Sequence, residues 1–148
     1  MSVRIQTEPF DPGAETNAFL APNAGAGAAV TFTGLVRSQL GDPITALTLE
    51  CYPDLAIARI TAIVADAVAR FGLIRATAIH RYGTLRPGEP IVQVMALAPH
   101  REAAFKGAEY LMDYLKTDAP FWKKEVTPAG ARWVEAKDED DAAKARWE

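Results

Sequence analysis

IVQVMALAPHREAAFKGAEYLMDYLKTDAPFWKKE, residues 91–125, decides the fold, because a strand gives way to a helix inside it. Ile91 to Leu97 reads as a strand. From Arg101 to about Thr117, apolar residues at 104, 105, 108, 111, 112 and 115 fall on one helical face. Pro120 forbids the helix from continuing, since it lacks an N–H and pushes the residue before it out of the α region. Phe121 and Trp122 follow as large apolar anchors. Lys116 falls in the last helical turn, and Lys123 and Lys124 come straight after the break. Two amines beside one apolar wall repel each other's charge while the wall removes water, so both effects favour the neutral amine. That is a route to a base, a nucleophile or an anion clamp. A surface loop anchored by aromatics fits the same residues equally well.

Outward from this stretch, the pattern alternates between short strands and helices. Val3–Gln6 reads as a first strand, and Asp11-Pro12 as an N-cap with Pro at N1, opening a short helix to about Leu20. Pro22–Ala29 is a small-residue loop. Val30–Thr33 alternates as a strand that stops at Gly34, Arg37–Pro43 is a loop, and Ile44–Cys51 is the returning strand. Asp54 is the expected cap of a long helix from about Leu55 to Phe71, closed by Gly72, with its stripe at 57, 60, 64, 67, 68 and 71. Ala76–Arg81 is a further strand, joined to Ile91–Leu97 by the turn region GTLRPGEP, and Trp133–Ala136 closes the sheet. The expected fold is α+β, two main helices packed on a mostly antiparallel sheet. Residues 1–136 read as one domain and 137–148 as a charged tail, mobile unless a partner orders it.

Bulk properties narrow the function classes. A chain of 148 residues has the size of one domain, and 49% hydrophobic with 24% charged residues is ordinary for a soluble globular protein. A single cysteine excludes an internal disulfide framework. Two histidines without clustered carboxylates make a poor metal-ligand set, so no metal and no resident cofactor are expected. No signal peptide or membrane span is evident, which makes the cytoplasm the expected compartment and a membrane partner unexpected. Residues 135–148 carry six acids and three bases and so supply the whole net charge of −3, while residues 1–134 balance. Nucleic acid is therefore not an expected partner, and any anion site must come from local clustering.

Basic residues do cluster at element ends. Arg37 follows the strand that stops at Gly34, His100-Arg101 opens the second main helix, Lys116 ends it, and Lys123 lies past the break. Such positions suit a phosphorylated, polar small molecule. The plainer readings stand beside this: lone lysines are usually solvated, and His100 can simply cap or pack. His80, inside an apolar strand, reads as a half-buried, hydrogen-bonded residue, and Arg81 as a salt-bridge partner. Cys51 reads as a small apolar filler.

AVTFTGLVR (29–37), ALTLECYP (46–53), AIHRYGTLRPGE (78–89), PHREAAF (99–105), MDYLKTDAPFWKKE (112–125) and RWVEA (132–136) together resemble the large, catalytic subunit of molybdopterin synthase. The resemblance implies an α/β-hammerhead fold and a sulfurtransferase. Its substrate would be cyclic pyranopterin monophosphate (precursor Z), which receives two sulfurs to become the dithiolene of molybdopterin. The sulfur donor implied is the C-terminal Gly-Gly thiocarboxylate of a small ubiquitin-like subunit, in a heterotetramer built around a dimer of large subunits. Position by position, Lys116 and Lys123 match the family's two pocket lysines, and Arg37, His100 and Arg101 its substrate-contacting basic residues. Lys124 and Glu125 lie in the segment that lines the pocket. Cys51 stands where relatives carry histidine, so no family role passes to the thiol, and Leu35 occupies a position that is basic in some relatives. A non-catalytic module binding a ubiquitin-like tail or a phosphorylated metabolite is the main alternative, and a lysine Schiff-base enzyme a second.

Overall fold

The computed structural model describes residues 2–135 and 138–148. The elements run β1 (Ser2–Gln6), α1 (Pro12–Phe19), β2 (Ala28–Leu35), β3 (Ala46–Glu50), α2 (Pro53–Phe71), β4 (Arg75–Arg81), β5 (Gly83–Leu85), β6 (Pro90–Ala98), α3 (Arg101–Asp118), β7 (Trp122–Thr127), β8 (Gly130–Val134) and α4 (Asp138–Ala145). The α+β class is as expected, but the described residues form two four-stranded sheets rather than one, ordered β1-β4-β6-β2 and β5-β3-β7-β8. In the first, β1 runs parallel to β4 and the other pairs are antiparallel. The second is antiparallel throughout. The strand after the 37–43 loop therefore does not return onto β2; β3 crosses to the second sheet and pairs with β5 and β7.

Helices α2 and α3 cover one face of the first sheet. That face presents Ala76, Ala78, Ala96 and Ala98, small side chains that let Ile60, Val64, Leu111 and Leu115 pack close. The opposite face carries Ile79, Met95 and Leu97 against Phe19 of α1. A third cluster, Val36, Ile44, Leu49 and Leu85, lies under the second sheet, and Ile91 and Phe121 pack against both it and the main core. The two sheets thus share an apolar seam at Phe121.

Local chemistry sets the element ends. Asp11 Oδ1 accepts from the Gly13 and Ala14 N–H groups at 3.0 and 3.3 Å and caps α1 as expected. Helix α2 starts earlier than expected: Pro53 takes N1 and Asp54 lies inside the first turn, where its charge favours the helix N-terminus. Gly72 closes α2 in the left-handed region, φ 63°, and its N–H returns to the Val68 carbonyl. Gly27 is held 3.0 Å from the Ala98 carbonyl through its N–H, and a Cβ there would sit 2.2 Å from the Pro99 oxygen.

Three further features depart from the sequence reading. Strands β5 and β7 were hidden in a turn region and in the basic segment after Pro120. Strand β8 begins at Gly130 and ends at Val134, while Ala136, the last residue of the expected closing strand, lies outside the described residues. Asp138–Ala145, expected within a mobile tail, is helical and docks on α3. Lys144 pairs with Asp118 at 2.7 Å, Arg146 with Glu109 and Asp113 at 2.9 and 2.8 Å, and the Trp147 indole donates to Asp113 at 2.7 Å. Trp147 also packs edge-on against Phe71 and Tyr110.

Candidate active site

A cavity of about 630 Å³ opens where the two sheets meet the C-terminal end of α3. Strand β2 and the loop after it contribute Leu35, Arg37 and Gln39. The last turns of α3 contribute Met112, Leu115 and Lys116, and the Pro120 break brings Phe121 onto the wall. Strand β7 adds Lys123 and Glu125, β4 adds His80, and α4 adds Glu139. The cavity is of a size that holds a drug-sized or cofactor-sized molecule.

Strand alternation sorts the basic segment after the break. Lys123 stands opposite Leu49 and Val134, and Glu125 opposite Leu47 and Arg132, on the cavity face. Lys124 stands opposite Thr48 and Trp133 and so projects to the other face. Its ammonium lies 5.3 Å from the Trp133 ring centroid, a cation–π contact, and it is absent from the cavity wall. Lys124, expected among the substrate-binding residues, thus stands off this cavity. Glu125 is on the wall but already paired, its Oε1 3.1 Å from Arg132 Nε, and Arg132 also reaches Asp42 at 2.6 Å.

Arg37, Lys116 and Lys123 therefore line one cavity. His100 and Arg101 do not join them. They are exposed at the N-terminus of α3, whereas Lys116 lies in its last turn. Fifteen residues of helix separate Arg101 from Lys116, about 22 Å along the axis. His100 occupies the N-cap position without a side-chain capping bond.

His80 is the residue that sequence reasoning left out of the site. It is hydrogen-bonded as expected, with Nδ1 2.8 Å from the Arg81 carbonyl, but buried rather than half-buried. Its ring also stacks on Phe121, centroids 4.1 Å apart and planes 15° apart, and it lines the cavity. Burial pushes the imidazole pKa down to about 4, and the nearby positive charge of Lys123 pushes the same way, outweighing the backbone hydrogen bond. The available signal was alternation: His80 continues the row Ala76, Ala78 that faces the helices, and is the first polar side chain at its end. Arg81, its neighbour, donates to the Thr7 carbonyl through Nε and Nη2 at 3.1 and 2.8 Å, with Glu89 3.9 Å from Nη1. Cys51 is half-buried and is not on the cavity wall; burial pushes its thiol pKa up.

Fold and site together define a class: a two-sheet α+β domain with a cation-rimmed, apolar-walled cavity of the kind that suits a small anion. The family described as MoaE protein matches residues 5–118, and the chain belongs to that family. It is 54% identical over 147 residues to the molybdopterin synthase catalytic subunit of Cereibacter sphaeroides, covering 99% of this chain and 100% of that one. The protein of the same name from Pseudomonas aeruginosa is 48% identical over 149 residues, covering 100% and 99% of the two chains. The solved structure of the molybdopterin biosynthesis MoaE protein from Burkholderia ambifaria superimposes with a TM-score of 0.83 at 47% identity, covering 99% of this chain and 97% of that one. No helix among the described residues is long and apolar enough to cross a membrane.

Proposed function

We propose that this chain is the catalytic subunit of a molybdopterin synthase. It transfers two sulfurs to cyclic pyranopterin monophosphate, each from the C-terminal thiocarboxylate of a small ubiquitin-like subunit that is left as a carboxylate, forming the dithiolene, in the cytoplasm. The observation that carries the reading is the convergence of Lys116, Lys123 and Arg37 on one apolar-walled cavity. Arg37 holds the substrate's anionic group through its guanidinium, a fork suited to phosphate. Phe121, Met112 and Leu115 supply the wall against which a flat heterocycle rests and from which water is displaced. Lys116 stands beside the carbon under attack and stabilises charge as sulfur arrives, and Lys123 moves the proton as oxygen leaves.

His100 and Arg101 can touch the same substrate only if a second copy of the chain brings its own α3 N-terminus to this cavity. A homodimer at the centre of a heterotetramer with two small subunits meets that requirement. The test mixes the protein with precursor Z and a small subunit bearing a C-terminal thiocarboxylate, and detects the dithiolene by mass spectrometry. Product that is lost in Lys116→Ala, with the two-subunit complex still formed, is the expected result. A stable complex without product from the unaltered protein overturns it in favour of a binding module, and normal turnover by Lys116→Ala removes that residue's role.

A further inference from the structure

The lysine and arginine side chains of the cavity are hydrogen-bond donors only, and its carboxylates, Glu125 and Glu139, are negatively charged acceptors. His80 is of neither kind. The Arg81 carbonyl can only accept, so the proton of the 2.8 Å contact sits on Nδ1. Burial and the charge of Lys123 keep the ring neutral well below physiological pH. A neutral imidazole with its proton on Nδ1 has a free lone pair on Nε2, on the far side of the ring from that carbonyl. Phe121 stacks on the ring face, so the imidazole cannot swing to exchange its two nitrogens. The buried side-chain atoms without a partner among the described residues are Arg81 Nη1 and Gln93 Oε1. His80 Nε2 is not one of them, so it has a partner or is reached by solvent, and His80 lies on the cavity wall.

We propose that His80 is a positioning residue of this site, locked by the Arg81 carbonyl and Phe121 so that its unprotonated Nε2 accepts from donors in the cavity, the Lys123 ammonium first. A carboxylate in this place would hold the ammonium more tightly but would also favour its charged form. A neutral acceptor aims the amine and leaves it free to give up its proton. The charged groups that share the cavity with the ring are Lys123, Lys116 and Arg37, with Glu125, which is engaged by Arg132, and Glu139 on α4; of these the Lys123 charge acts on the imidazole. The proposal rests on the sulfur-transfer reading for its catalytic consequence, but not for its geometry.

Two measurements test it. Long-range proton–nitrogen NMR of the full chain reads the ring directly: the expected signature is a neutral ring protonated on Nδ1 down to about pH 5, with an Nε2 resonance that moves in Lys123→Met. A ring protonated on Nε2, or an Nε2 signal indifferent to Lys123→Met, overturns the proposal. In the dithiolene assay, His80→Phe keeps the ring stack but has no acceptor, and its kcat is expected to fall at least about tenfold with KM for the pterin little changed. His80→Gln returns an acceptor oxygen and is expected to recover most of that loss. Equal kcat in His80→Phe and the unaltered protein overturns the proposal. Absence of product from the unaltered protein defeats the sulfur-transfer reading instead, and the NMR result still decides His80.

Discussion

Lys144 Nζ lies 2.7 Å from Asp118 Oδ1, which clamps α4 to the last residue of α3, two positions beyond Lys116. Glu139, on the first turn of α4, is thereby kept on the cavity wall.

The clamp's strength lies mainly in Trp147 rather than in its ion pairs. The ion pairs still reach solvent and contribute little because water screens them, whereas Trp147 buries ring surface against Phe71 and Tyr110 and hydrogen-bonds Asp113. Trp147→Ala is expected to release α4, seen as faster hydrogen exchange of the 138–145 amides with α2 and α3 unchanged. Lys144→Met is expected to leave that exchange nearly as it is. Equal release by the two substitutions would show the ion pair to be the stronger anchor.

The two adjacent lysines of β7 should behave oppositely. Lys123 faces the cavity and Lys124 lies over Trp133 on the other face. Lys123→Met is expected to lower dithiolene formation by about 100-fold or more, the range of a lost proton-transfer group. Lys124→Met is expected to stay within about threefold. Initial rates with saturating thiocarboxylated small subunit make the comparison, and similar losses in both would contradict the alternation argument.

Much of this arrangement was legible in the sequence, and the rest was hidden for physical reasons. The stripe of α3 and Pro120 fixed that helix because burial on one face and a missing N–H act locally. Strand β7 was hidden because its cavity-facing residues, Lys123 and Glu125, are charged where alternation would put apolar ones. The second sheet was hidden because β3 pairs with a strand more than 70 residues away, a long-range choice without local signature. Helix α4 was read as a solvated tail because Asp138, Glu139, Asp140 and Asp141 look like a charge run. At a helix N-terminus the same acids are favourable. Arg37, Lys116 and Lys123 were legible as a group. His100 and Arg101 were grouped with them because all sit at element ends, although the helix read from Arg101 to about Thr117 already puts its two ends about 22 Å apart.

Acid should weaken the fold through His80. Its pKa falls from an ordinary 6.5 to about 4 in the folded chain. Between those values the unfolded chain binds a proton that the folded chain refuses, so this stability is full above pH 6.5 and drains away as pH falls toward 4. The displacement corresponds to about 3 kcal/mol. Urea midpoints at about pH 7.5 and pH 5 are expected to differ clearly in the unaltered protein and much less in His80→Phe. A parallel fall in both would assign the acid sensitivity to other groups.

Cys51→Ser is expected to retain sulfur transfer. The thiol is half-buried, off the cavity wall, and burial pushes its pKa up, all against a nucleophilic thiolate. Loss of product in a variant with an unchanged melting temperature would mean that the thiol carries sulfur after all.

The parallel pairing of β1 with β4 bears on how the protein is born. Ser2–Gln6 finds its partner only at Thr77–Arg81, so β1 leaves the ribosome long before the strand it must join. Until then its amides have nothing but water or a stranger to bond, which makes the nascent chain vulnerable to mispairing during translation.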